Sequence, residues 1–264
     1  MPVRRKVALS LLTPLLGAAI LLACANLSVV RVAAATPAPA RSSHCAAGMA
    51  RVDGFCVDAY EAYVVEVDAQ GRERPHSPYE RVAGKNVRAK SVAGVVPQAY
   101  VSRDEAAGAC ASAGKRLCSS PEFSRACRGE SPAPNWFPYG GSHRVVGVCN
   151  EGKFSAVAWL FGYHPDRWTY EQFNDPRLNQ IPNGLARTGA YPRCVSTEGV
   201  YDLVGNLAEW VGDAPDQLGH ARFRGGHYGE AMANGPGCLY VTSAHEPEYH
   251  DYSVGFRCCA DSVP

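Results

Sequence analysis

Ten cysteines constrain this chain more than any other feature of its sequence. Cys45, Cys56, Cys110, Cys118, Cys127, Cys149, Cys194, Cys238, Cys258 and Cys259 are spread along a chain of 264 residues. An even number behind an export-type leader argues for disulfides rather than free thiols. Zinc is the competing reading, but no two of them have CxxC spacing. Adjacent Cys258 and Cys259 point to opposite faces if they lie on a strand, so they bond to different partners. Five bridges are expected, in a fold rich in turns: the chain holds 26 Gly and 19 Pro.

The eleventh cysteine, Cys24, belongs to a targeting segment. Arg4, Arg5 and Lys6 precede residues 7–23, which are apolar apart from Ser10, Thr13 and Pro14; such a segment is left out of fold reasoning. Leu21-Leu22-Ala23-Cys24 resembles a lipoprotein cleavage box with Cys24 as the acylated residue. Ordinary cleavage near Ala33-Ala34-Ala35, or an uncleaved anchor extending to Val30, are the rivals. All three place the remainder outside the cytoplasm, as a membrane-anchored lipoprotein or a secreted protein. The chain divides into a signal peptide over 1–23, a lipid-anchored or flexible Pro/Ala tether over 24–44 and one domain over 45–264. That length can bury a sizeable core. The formal net charge is +1, which gives no electrostatic case for nucleic acid. Asn26-Leu27-Ser28 fits a glycosylation sequon, which means little in a leader.

Residues 48–67 alternate apolar and polar side chains on either side of Gly54 and read as a hairpin that Cys45 and Cys56 would staple. Residues 68–90 are polar, carry Pro75 and Pro78 and read as loop. Ser102 and Glu105 form a capping box, with Gly114 as the stop of the first helix. Ser119 and Glu122 form a second box, with Pro121 in the first turn and an end by Gly129. Cys110 and Cys127 fall one on each helix. Residues 131–193 show almost no period; a loop that long is functional or held by other means, and Cys149 and Cys194 near its ends suggest a staple. Its Trp136, Phe137, Trp159, Phe161 and Trp168 read as core beneath loops rather than a sugar-stacking platform. ARFRGGHYG has a Gly-Gly bend after a strand, and SVGFRCCAD reads as one final buried strand.

Residues 199–213, GVYDLVGNLAEWVGD, interleave Asp202, Glu209 and Asp213 with apolar residues around a Gly-Asn turn. Oxygens of Asp202 and Glu209, bracketing a glycine, could converge on a hard cation. A plain turn with solvated carboxylates is the alternative.

SRDEAAGACASAGKRLCSSPEFSRACRG, FPYG, CN, GVYDLVGNLAEWVGD, FRGGHYG and VGFRCCAD occur in this order, and together they resemble the formylglycine-generating enzyme family, or sulfatase-modifying factor domain, over 45–261. The resemblance implies an α+β fold, a variant of the C-type lectin-like fold with little regular secondary structure. It implies the bridges Cys110–Cys258 and Cys127–Cys238. Elimination and proximity then leave Cys45–Cys56, Cys149–Cys194 and Cys118–Cys259. It also implies calcium, held by the Asp202 and Glu209 side chains with the carbonyls of Gly205 and Leu207, and a second site at Asn150 and the Glu151 carbonyl, completed near Asn183 and Leu185, where an Asn stands in for the family's Asp. Lys115-Arg116 matches a family element that supports the sheet.

The family's enzymes oxidise a cysteine of sulfatase precursors to formylglycine with oxygen and copper(I), held by two cysteines at the fourth and ninth residues after the second glycine of RGG. Thiolates suit so soft an ion. Those positions are Glu230 and Gly235 here, which argues against copper. His227 replaces the serine that usually follows RGG, and Ala208 replaces a frequent Trp, which would open room in the cleft. What remains is a candidate cleft of His227, Tyr228 and Glu230, with His245, Glu246, His250 and Asp251. His220, His227, His245 and His250 could also form a metal set, against the alternative that they pin loops. The expected function is a non-catalytic exported module that binds a protein, peptide or glycan through the former active-site cleft. The alternative is a formylglycine-generating oxidase with relocated thiols, or a His/carboxylate metal-dependent oxidase.

Overall fold

The first hairpin forms where alternation and Gly54 place it. β1 (Met49–Val52) and β2 (Phe55–Asp58) pair antiparallel with Val52 opposite Phe55. Asp53 and Gly54 alone make the turn, Asp53 at φ 48°, the left-handed geometry that matches strand twist in tight hairpins. The computed structural model describes residues 44–130 and 135–262; the expected signal peptide, Cys24 and nearly all of the expected tether lie outside the described residues.

β3 (Tyr63–Val67) pairs antiparallel with both β4 (Glu73–Pro75) and β5 (Val87–Lys90). These two strands correct the expectation of loop over residues 68–90. β4 is exposed throughout and carries Pro75 at a sheet edge, where a missing amide is tolerated. β5 is four residues long, too short to show a period, although Val87 and Ala89 are buried.

α1 (Arg103–Ser112) and α2 (Ser120–Arg128) carry both capping boxes. Ser102 Oγ accepts from the Glu105 amide while the Glu105 carboxylate accepts from the Ser102 amide; Ser119 and Glu122 repeat the pattern. β6 (Arg116–Leu117) lies between the helices. Residues 135–207 hold only α3 (Ala156–Phe161), α4 (Tyr170–Phe173) and single helical turns. β7 (Ala208–Trp210), β8 (Ala221–Arg224), β9 (Val241–His245), β10 (Val254–Phe256) and β11 (Cys258–Asp261) complete the order.

The strands form three sheets, ordered β1-β2-β11-β6, β10-β7-β8-β9 and β4-β3-β5. The last buried strand, expected as one, is therefore two. β10 runs parallel to β7, β11 runs antiparallel to β2 and β6, and Arg257 stands at the change of sheet. The switch sends the Arg257 side chain into the interior, where it is 1% exposed.

All five expected disulfides are present. Cys258 bonds Cys110 of α1 while Cys259 bonds Cys118, so the neighbours on β11 do serve opposite faces. Cys238 lies in a helical turn, Gly237–Leu239, rather than on a strand. Each bridge contributes about 2–5 kcal/mol by the chain-entropy account, which helps an irregular middle region hold together. Trp210, Phe223, Val254 and Phe256 pack with α1 and β5; Phe123, Phe137 and Leu203 pack around three of the bridges. Ala208 is buried in the first of these clusters, so it fills core and does not widen a cleft. No helix among the described residues is long and apolar enough to cross a membrane.

Candidate functional site

The stretch 199–213 turns through left-handed backbone at Asp202, Gly205 and Asn206. These turns deliver buried carboxylates to one interior cluster. Glu209 receives the Nε–H and Nη2–H of Arg257, both at 2.6 Å, with both side chains 1% exposed. Arg257 also donates to the carbonyls of Asp58 and Tyr201. Glu61 accepts from Asn206 Nδ2 at 2.5 Å and from the Leu207 amide at 3.0 Å. Asp202 accepts from the Gly189 amide at 2.7 Å.

Three carboxylates thus share one guanidinium away from water. Burial raises all three, opposed by Arg257: Glu61 lies well above its ordinary value, Asp202 is pushed up to about 6, and Glu209 is raised. Each Glu209 oxygen accepts one hydrogen bond from Arg257. The second expected set differs. Asn150 Oδ1 and Glu151 Oε2 are buried and accept no hydrogen bond among the described residues. Asn150 Nδ2 donates to the Gly184 carbonyl and to Asn206 Oδ1, and Glu151 Oε1 accepts from Arg144. The Asn150 contact to the Gly184 carbonyl brings this segment to the backbone between Asn183 and Leu185.

The candidate cleft starts where β8 ends. Gly225 and Gly226 take φ 81° and 69°; a Cβ on Gly226 would stand 2.5 Å from the Glu230 carbonyl. Only glycine lets the chain double back here. The His227 amide then donates to the Glu230 carbonyl at 2.7 Å and the Glu230 amide to the His227 carbonyl at 2.9 Å. The Tyr228 amide donates to the Asn206 carbonyl, and the Lys153 amide to the Tyr228 carbonyl. The turn is thereby tied to the signature stretch. Tyr228 itself is fully buried, its hydroxyl on the Leu178 carbonyl, so it is a core residue beneath the site.

His227 is half-buried, with its ring edge-on to Tyr228 and Tyr252. Its Nδ1 accepts from the Gly229 amide, which leaves the proton of the neutral ring on Nε2. Burial lowers its affinity for a second proton, partly offset by Asp251 and Glu230. Glu230 Oε1 accepts from the amides of Met232 and Ala233 and so caps the following turn. Gly235, the other departure from the family pattern, has φ 106°; a Cβ there would stand 2.7 Å from the Leu239 carbonyl. Every described cysteine is in a disulfide.

Of the remaining expected cleft residues, Asp251 is near enough for its charge to act on His227, and the others are elsewhere. β8 and β9 pair with Ala221 opposite His245 and Arg224 opposite Val241, so His245 and Glu246 sit at the end of the sheet remote from His227. The His245 ring stacks on Tyr249 at 3.8 Å between centroids, and Glu246 is exposed. His250 Nδ1 is 2.6 Å from Asn174 Oδ1, His220 faces Asp216, and Asp251 accepts from Tyr249 Oη and Ser253. The four histidines are pinned separately and do not form a ligand set.

Three groups were missed by sequence reasoning. Arg257 and Glu61 are charges inside apolar runs, GFRCC and AYEAY, and such charges must find each other or another partner. Trp159 was expected in the core but is 66% exposed. α3 buries Ala156 and Val157 and turns Trp159 outward, where Phe154 holds its ring at 5.2 Å between centroids. The Phe154 carbonyl lies 3.4 Å from where a Cβ on Gly229 would stand, so the backbone that leads into α3 borders the His227 turn. Lys115, bonded to Asp58 at 2.5 Å, and Arg116, bonded to Glu122 and Asp261, support the sheet as expected.

Among solved structures, the chain is similar to PvdO from Pseudomonas aeruginosa at 17% identity, with 78% of this chain and 80% of that one covered and a TM-score of 0.48. The I1 variant of the Major Tropism Determinant gives 14% identity and a TM-score of 0.45, with 84% of this chain covering 54% of that one. CarF gives 17% and 0.34, with 77% and 59% covered. A search of curated proteins gives no match. The sequence does match the profile of the sulfatase-modifying factor enzyme 1-like domain over residues 36–262. With the six ordered motifs and the five bridges, that match assigns the chain to the formylglycine-generating, or sulfatase-modifying factor, family.

Proposed function

We propose that this chain is a non-catalytic member of its family, exported and held at or released from a membrane, which binds a protein, peptide or glycan ligand on the face formed by His227, Glu230, Phe154 and Trp159. The carrying observation is Gly235. A copper-binding cysteine at that position needs a side chain where the Leu239 carbonyl stands at 2.7 Å and φ is 106°. Glu230, at the other thiol position, is committed to two backbone amides. A thiol from elsewhere among the described residues would require breaking a disulfide. The exposed Trp159, with its ring fixed by Phe154, adds apolar contact area beside polar groups, the composition of a recognition surface. Five disulfides fit an oxidising compartment.

Calcium, in the same reading, is held at Asn150 and Glu151 with Asn183 and Leu185. There it would satisfy the orphaned oxygens and fasten residues 149–152 to the 183–185 segment. It would supply rigidity rather than chemistry.

The test is chemical. The purified mature chain, supplied with copper(I) and air, is incubated with a peptide carrying a sulfatase-type cysteine motif and analysed by mass spectrometry. The peptide is expected to stay unchanged; conversion of the cysteine to the aldehyde overturns the reading in favour of an oxidase.

A further inference from the structure

On a different part of the surface, a cavity of about 450 Å³ opens between the end of α2 and the segment before Cys194. Arg128, Arg193, Asn135, Tyr139 and Ser196 are among its lining residues, which include no carboxylate. It shares no residue with the His227 face. We propose that this cavity binds a small organic oxyanion, a carboxylate or phosphate ester on a body about the size of one sugar ring.

Two arginines make the argument. Most arginines of the described residues face an acid: Arg72, Arg88, Arg116, Arg125, Arg144, Arg177 and Arg257 all form ion pairs. Arg128 and Arg193, like Arg81, Arg187, Arg222 and Arg224, form none among the described residues, and of these only Arg128 and Arg193 line the cavity. The nearby carboxylate of Glu198 is already held by Arg125 and the Thr197 hydroxyl. The Glu130 carboxylate lies 3.5 Å from Arg125.

Arg128 is also aimed. Its Nε–H donates to the Asn135 carbonyl at 3.0 Å, and Asn135 Nδ2 donates back to the Arg128 carbonyl at 3.0 Å. Both terminal nitrogens make no hydrogen bond among the described residues, which leaves the planar fork that matches a carboxylate or phosphate. The backbones are anchored as well. Arg128 follows Cys127, bonded to Cys238, and Arg193 precedes Cys194, bonded to Cys149. A site on covalently fixed backbone spends less ordering entropy on binding. Tyr139, Pro138, Pro192 and Val195 offer apolar surface for the body of the ligand.

Isothermal titration of the mature chain at low salt tests this, with glucuronate and glucose 6-phosphate as probes and glucose as the neutral control. Saturable binding of at least one oxyanion, and none of glucose, is expected; the stronger of the two identifies the carboxylate or the phosphate source. Arg193→Gln should weaken that binding about tenfold, the scale of one charged hydrogen bond, and Arg128→Gln with Arg193→Gln should abolish it. Arg193 is exposed, so its single variant stays readable even if loss of the Arg128–Asn135 clamp disturbs folding. Equal binding of glucose, no binding of either oxyanion, or unchanged affinity in Arg193→Gln each overturns the proposal.

Discussion

Glu209 and Glu230 flank β8, and their carboxylates are held in opposite ways. Glu209 is buried and doubly bonded to one guanidinium, itself bonded to two backbone carbonyls. Glu230 is half-buried and accepts only from the amides of the two residues that follow its own turn. The first joins distant segments, β7 to the crossing between β10 and β11. The second organises only its own loop. A family signature can therefore serve as architecture while a carboxylate in the adjoining loop serves only its own turn.

The largest effect that would break this comparison is at Arg257. Arg257→Met leaves Glu209 buried without a partner and adds to the excess of negative charge with Glu61 and Asp202. Removing one partner of a buried pair costs about 3–5 kcal/mol, read as a lowered urea midpoint. The double variant Arg257→Met with Glu209→Gln should recover part of that loss. A cost below about 1 kcal/mol for Arg257→Met alone would mean that the cluster does not carry the architecture.

Next in size is Gly235→Cys combined with Glu230→Cys, which writes the family's thiol pair back into the loop. Left-handed backbone and the Leu239 carbonyl oppose a side chain at residue 235. Strain of this kind costs about 1–3 kcal/mol, visible as a lower Tm. No stoichiometric copper(I) binding is expected. Copper bound at one equivalent without loss of stability would show that the loop keeps the shape of a metal site.

Much of this arrangement can be read from the sequence, because it is written in local rules. Ser102–Glu105 and Ser119–Glu122, each pair three residues apart, signal helix starts, Gly54 signals a turn, and ten cysteines behind a leader-like segment signal five bridges. The rest needs contacts that no local pattern carries. Nothing in GFRCC shows that Arg257 stands between two sheets, or that its partner is Glu209. β4 and β5 stay hidden because a short edge strand buries too little to impose a period. Trp159 reads as core by its type and is exposed because the two-residue buried face of α3 excludes it. His227 and His245 look like neighbours in chemistry, but the β8–β9 register puts them at opposite ends of one sheet.

A smaller effect is expected at the loop itself. Glu230→Ala frees the amides of Met232 and Ala233, and both can turn to water because the residue is only half-buried. Loss of such a cap costs about 0.5–1 kcal/mol, well below the Arg257 effect. Amide exchange at residues 232 and 233 should quicken while exchange in β7 stays unchanged. Quickening in both would mean that the two regions are one cooperative unit.

The smallest and most discriminating effect is in pH, where the two regions act with opposite sign. Asp202, raised from 3.8 to about 6 by burial, keeps a proton in the fold that the unfolded chain has released. Its contribution is complete below 3.8 and is lost as pH rises towards about 6. His227 is lowered from 6.5, chiefly by burial, so the unfolded chain takes up a proton first. Its contribution is complete above 6.5 and is lost as pH falls through its folded value. His245 and His250 are lowered by burial as well and act in the same sense. Thermal melts between pH 4 and 7 should therefore show a shallow profile built from opposed slopes. Asp202→Asn should steepen the loss of Tm on the acid side, because one of the raised carboxylates that oppose the histidines is then removed while Glu61 and Glu209 remain. His227→Gln should flatten it. Parallel profiles for the two variants would place both groups in one electrostatic environment and end the distinction between a buried architectural cluster and a separate loop.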